Sequence, residues 1–112
     1  MVVLHDDWAV RGHAMVIWKA HVENYSDLSE DDAAELSRVH HAAEKILLAA
    51  TKAERAVLMK LGIMTPHLHL HIYPVSASLD RAAVMAIIDG KTREGRDEGF
   101  VAELRRAMSS RA

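Results

Sequence analysis

The stretch "HLHLHIYP", residues 67–74, constrains the fold more than any other segment of the chain. It alternates imidazole and apolar side chains without a break from His67 to Ile72. Successive side chains of a β-strand point to opposite faces, so a period of two fits a strand and not a helix. His67, His69 and His71 then share one face. Leu68, Leu70 and Ile72 share the other and need a core to bury them. The expected strand covers 67–73 and ends at Pro74, because proline is poorly suited to the middle of a sheet.

A cover for that apolar face is written earlier in the chain. Ser29 is an N-cap candidate, followed by Glu30, Asp31 and Asp32, where negative charge suits a helix N-terminus. Ala33, Leu36, Val39, Ala43, Ile46, Leu47 and Ala50 follow at helical spacing, which predicts one long amphipathic helix over 29–53. Apolar and β-branched runs predict further strands at 1–5, 13–18 and 55–62, the last stopped by Gly62. Asp6, Asp7 and Gly12 punctuate a turn between the first two. A C-terminal helical segment, 78–110, is predicted as one helix over 78–90 and another over 100–110, with a charged loop between them. Ser78 or Asp80 starts the first of these helices and Gly90 stops it. The expected class is α+β: an antiparallel sheet of about four to five strands, one long helix packed on it, and short C-terminal helices. At 112 residues the chain is expected to be a single domain, 1–112.

Composition removes several functions. The formal net charge is −2, with no basic stripe for duplex nucleic acid. There is no cysteine, which excludes disulfides, zinc–thiolate sites and cysteine nucleophiles. No apolar run approaches the ~18 residues of a membrane span, and "MVVLHDDW" is not a signal peptide, so a cytoplasmic protein is expected.

Three readings of the histidines compete. With eight histidines in 112 residues, a chance H-x-H-x-H arises in roughly four chains in a hundred. Chance is therefore a poor account of the cluster, though it suits His40 and His41, which are expected as surface or partly buried helix residues. A metal reading meets a distance problem. His67 and His71 would stand ~13 Å apart at ~3.3 Å per residue, whereas zinc–nitrogen bonds are only ~2.0 Å long. A third ligand would have to come from elsewhere, and no HExxH motif supplies one. The third reading is nucleophilic: an imidazole attacks phosphorus, and its neighbours hold phosphate oxygens or pass a proton to the leaving group.

The form His-φ-His-φ-His-φ-φ, with φ apolar, resembles the motif of the histidine triad (HIT) nucleotide hydrolases and transferases. "RGHAMVIWKAHVENYSDL" is similar to that family's Gly-His segment, and "LGIMTPHLH" to its approach to the triad. The resemblance runs from about Leu4 to Pro74. It implies that His69 is the nucleophile of a nucleotidyl-histidine intermediate, flanked by His67 and His71, with His13 as a fourth histidine packed against them. It also implies that Asp6 or Asp7 lies near a ribose. His71, where the galactose-1-phosphate uridylyltransferase branch has Gln, favours a hydrolase. Thr65, in the approach segment, is a further substrate-binding candidate.

The implied function is cleavage of a nucleoside 5′-phosphate anhydride, ester or phosphoramidate to a nucleoside monophosphate, with no cofactor. The family's usual amide four residues before the triad is Ile63 here, its Pro is Trp18, and its Arg after the motif is Val75. Only 12 residues precede His13. Ile63 and that short N-terminus keep open a nucleotide-binding module with weak or lost catalysis, and a metal-dependent hydrolase is the third alternative. The partners expected are a nucleotide or nucleotidyl conjugate and a second copy of the chain. Apolar residues of "VLMKL" and of the C-terminal "FVAEL" are the expected dimer surface.

Overall fold

Ser29 opens the long helix as its sequence demands. Its side-chain oxygen accepts the Asp32 N–H at 3.1 Å, satisfying one of the free donors of the first turn. The computed structural model describes residues 2–4, 8–60 and 65–109. Helix α1 is Glu30–Thr51 and ends on Lys52, whose φ of 59° is the left-handed cap conformation. Its buried residues are Leu36, Ala43, Ile46 and Leu47. Ala50, expected on the same stripe, is exposed in the last turn.

Four strands form one antiparallel sheet: β1 (Val2–Leu4), β2 (Ala14–Ile17), β3 (Arg55–Met59) and β4 (His69–Val75). Their order across the sheet is β1-β2-β4-β3, which puts the histidine strand inside the sheet. Helices α2 (Arg81–Ile88) and α3 (Glu98–Ser109) follow. Asp80 caps α2 by accepting the Ala83 N–H at 2.9 Å, and Gly90 ends it with φ +73°. Asp97 accepts the Phe100 N–H at 3.1 Å in the first turn of α3.

The two faces of β4 are used differently. Leu68, Leu70 and Ile72 join Ala14, Val16 and the buried stripe of α1 in the main core, which α3 completes with Phe100, Val101 and Leu104. A smaller cluster of Tyr73, Val75, Ala9 and Ile87 covers the far end of the histidine face with α2.

Several boundaries depart from the sequence expectation. The triad strand is not 67–73 but His69–Val75. His67 and Leu68 precede it in a bend, where the His67 N–H reaches Thr65 O at 2.8 Å and the Leu68 N–H reaches Val22 O at 2.7 Å. At the other end the strand runs through Pro74. That is allowed because β2 stops pairing at Ala14, opposite Ile72; Pro74 pairs only with Ala56 of β3. Strand β3 ends at Met59, and Gly62, its expected stop, lies outside the described residues, as does Ile63. Phe100, Val101 and Leu104 of "FVAEL" are buried in the core, so they are not the exposed patch expected to pair two copies. Trp8, read as part of a turn, is a core residue at 1% exposure, edge-on to Phe100 at 6.0 Å. The Glu94 N–H to Trp8 O bond, 2.7 Å, ties the C-terminal segment back over it.

Candidate active site

The two ends of β2 and the start of β4 bring the histidines together. Gly12, at φ +82°, turns the chain into β2 and leaves His13 at the head of that strand. In the register, Met15 lies opposite His71 and Ile17 opposite His69. On the other side of β4, Met59 lies opposite His71. The strand's pleat puts all five side chains on one face.

Each imidazole has a distinct partner. His69 Nδ1 lies 2.7 Å from the carbonyl of His67. A carbonyl can only accept, so the proton sits on Nδ1 and the neutral ring has its lone pair on Nε2. His67 donates from Nε2 to the carbonyl of Trp18. His71 Nδ1 meets His13 Nε2 at 3.0 Å. When His13 is the donor, a neutral His71 carries its own proton on Nε2. His13 is 3% exposed and stacks on Tyr73, with ring centroids 4.3 Å apart. Tyr73 also lies beside His71, nearly parallel, at 5.8 Å. Burial pushes the Tyr73 phenol above its ordinary pKa, so it is uncharged at neutral pH.

An open cleft of about 330 Å³ lies on this face, lined by Met15, Ile17, Thr65, His67 and His69. Among the described residues that line it, Thr65 is the one polar side chain that is not an imidazole. The row of histidines is thus less even than the sequence suggests. His67 and His69 line the cleft, whereas His71, 5.1 Å from His69 between ring centroids, turns to His13. Asp6 and Asp7 lie outside the described residues. Trp18 packs against the main core and Val75 is buried, so neither substituted position is polar surface. His40 and His41 sit on α1, where His40 Nε2 lies 3.6 Å from Glu44. Among the described residues no three His, Asp or Glu side chains converge as a metal site requires.

Sequence reasoning passed over one neighbour. His21, quoted within the "KAHV" motif but given no role, has its ring 5.8 Å from that of His67. Strict alternation could not find it, since it lies in the loop after β2.

A row of imidazoles on an inner strand of an antiparallel sheet, backed by one long helix, defines a histidine-triad site. The HIT domain family model matches residues 1–77, and the chain belongs to that family. Helices α2 and α3 lie beyond the matched residues. Among solved structures, a hypothetical histidine triad nucleotide-binding protein from Sulfolobus tokodaii strain7 is similar at 25% identity and TM-score 0.68, covering 96% of this chain and 73% of that one. A histidine triad (HIT) protein from Sinorhizobium meliloti 1021 shares the fold at TM-score 0.77 and 20% identity, over 96% of this chain and 80% of that one. A histidine triad protein from Bradyrhizobium japonicum does so at TM-score 0.72 and 19% identity, over 97% and 81%.

Proposed function

We propose that this chain is a nucleotidyl hydrolase that releases a nucleoside monophosphate through a covalent adduct on His69. The observation that carries this reading is the 2.7 Å bond from His69 Nδ1 to the His67 carbonyl. It commits the proton to one ring nitrogen and leaves the other as a nucleophile, with no general base needed to free it. Membership of the HIT family and the nucleotide-binding name of the Sulfolobus tokodaii protein support a nucleotide as the substrate.

The Nε2 lone pair of His69 attacks the α-phosphorus, and the bond from phosphorus to the leaving oxygen or nitrogen breaks. The leaving group takes its proton from the His71 side, where His13 stands behind His71 to share a proton. Water then attacks the phosphorus and gives its proton to the His71–His13 pair, restoring the one lent to the leaving group; the P–N bond to His69 breaks, and the monophosphate departs with His69 regenerated. His67 is held by its bond to Trp18, which fixes its ring beside His69 on the cleft. His13, Thr65, Asp6 and Asp7 are the substrate-contact candidates. The reading takes residues 1–112 as one domain and the working form as a homodimer. Strand β3 at the sheet edge, with Leu58 46% exposed, is the surface that supports self-pairing.

The test is a panel of adenylyl and guanylyl conjugates scored for released monophosphate, with rapid quench and peptide mass spectrometry. A nucleotidyl group should be found on His69. His69→Ala should abolish turnover, whereas His67→Ala and His71→Ala should slow it less. Full activity in His69→Ala, or complete loss on adding EDTA with rescue by zinc, overturns this mechanism.

A further inference from the structure

We propose that Thr92 and Arg11 are positioning residues for proton transfer to the leaving group: residues 92–100 clasp residues 8–11 and so hold the His13 ring against His71. This rests on the reading that the His71–His13 pair protonates the leaving group.

His13 stands just outside the sheet. Strand β2 starts one residue later, with Ala14 opposite Ile72. The His13 N–H closes the Gly12 turn, donating to Val10 O at 3.1 Å. The ring therefore goes where the turn goes. The sheet fixes one end of that turn at Ala14. The other end is gripped from the far end of the chain. The Glu94 N–H donates to Trp8 O at 2.7 Å. The Thr92 hydroxyl donates to Ala9 O at 2.6 Å. The Arg11 guanidinium lies 3.4 Å from Asp97 Oδ2, and its carbon is 4.0 Å from the centre of the Phe100 ring. Asp97 spends its other oxygen on the Phe100 N–H, so the residue that opens α3 also grips the turn.

The clasp has a chemical consequence. His13 Nε2 and His71 Nδ1 are 3.0 Å apart, and a hydrogen bond weakens steeply once it is misaligned. Stacking on Tyr73 sets the plane of the His13 ring but leaves it free to slide in that plane. A looser turn permits that slide, and His71 then loses the partner with which it shares a proton. His69 is untouched, because the His67 carbonyl sets it. Thr92, Glu94, Asp97 and Phe100 all lie beyond residues 1–77, which match the HIT model. The proton-transfer step thus depends on a segment outside the family's common domain. Substrates differ in their need for that step. An alkylamine must take a proton to leave, whereas 4-nitrophenolate departs as the anion. The clasp matters to the first and not to the second.

The experiment compares two conjugates of adenosine 5′-monophosphate: its N-butyl phosphoramidate and its 4-nitrophenyl ester. Thr92→Val keeps the shape and removes the hydroxyl. It should lower kcat/KM for the phosphoramidate about fivefold, the scale of one hydrogen bond between neutral groups. The nitrophenyl ester should stay within about twofold. Thr92→Ser should restore the phosphoramidate rate, and Arg11→Met should reproduce the loss. In a His13→Ala background Thr92→Val should add nothing, because the residue it acts through is gone. Equal effects on both substrates, no effect on either, or a loss that adds to that of His13→Ala overturns the proposal. A second measurement stands apart from turnover: the imidazole carbon and proton resonances of the uniformly labelled protein. Thr92→Val should move those of His13 and His71 and leave those of His67 in place. If the wild-type chain turns over no nucleotidyl conjugate, the proposed function falls and these resonances alone decide the clasp. Unmoved His13 and His71 resonances, or shifts shared equally by His67, then overturn it.

Discussion

Gly12→Ala tests how the fold delivers His13. Gly12 has φ +82°, and a side chain in left-handed backbone costs roughly 1–2 kcal/mol. The added Cβ would also stand 2.8 Å from Thr51 Cγ2 and 3.5 Å from Pro74 Cγ. Thr51 cannot easily yield, because its hydroxyl donates to Leu47 O at 2.7 Å and accepts the Ala53 N–H at 3.3 Å. Overpacking of this kind adds about 1–3 kcal/mol. The whole penalty is then roughly 2–5 kcal/mol, a large share of a stability of about 5–15 kcal/mol. Thr51→Ser removes the offending methyl and keeps both hydroxyl bonds. In that background Gly12→Ala should cost only the backbone part, roughly 1–2 kcal/mol. Urea unfolding of the four proteins in a double-mutant cycle measures the coupling, expected at about 1–3 kcal/mol. Additive effects within about 0.5 kcal/mol would refute the steric argument. A Gly12→Ala penalty below about 0.5 kcal/mol would refute the whole account of the turn.

Two further outcomes follow from the same geometry. Tyr73→Leu removes the ring on which His13 stacks, whereas Tyr73→Phe keeps it. On the proposed chemistry, Leu should lower kcat at little change in KM and Phe should retain it; equal activity in both would show that the stack positions nothing. Asp97 is held below its ordinary pKa of 3.8, first by the Phe100 N–H and also by Arg11. A lowered carboxyl stabilises the fold at pH values above its unfolded pKa and loses that contribution as pH falls through the folded value. The stability gap between wild type and Asp97→Ala should therefore be full at neutral pH and close in acid below 3.8. Urea midpoints across that range check it, and a gap that persists in acid would assign the effect to packing instead.

The parts of the fold that local chemistry decides were legible in the residues. Alternation placed Leu68, Leu70 and Ile72 in the core, and all three are buried. Ser29 and the apolar spacing after it defined α1 to within two residues at either end. The misjudged parts depend on distant partners. Pro74 stays in β4 because a strand 60 residues earlier has already stopped at Ala14. Trp8 is buried because Phe100 and the Glu94 backbone come back to it, and no pattern around "DDWAVRG" reports that. The "FVAEL" residues looked surplus because the room left for a second helix beside α1 is not written in either helix.

The same distinction separates the histidines from one another. Alternation alone makes His67 and His71 equivalent neighbours of His69. Only His69, however, is held by its own strand's approach, through the His67 carbonyl two residues back. The other two are held by opposite ends of β2: His71 by His13, just before Ala14, and His67 by the carbonyl of Trp18, just after Ile17. A four-residue strand therefore acts as a caliper across the site. Its register against β4 sets which nitrogen each flanking imidazole spends on these partners. A one-residue slip of β2 would turn its side chains to the wrong face and release both flanking histidines together. The tautomer of His69 would survive that slip, because its partner is local. The asymmetry of the flanking roles is thus a property of strand pairing, which is why a motif confined to residues 67–73 can identify the central imidazole but not the division of labour around it.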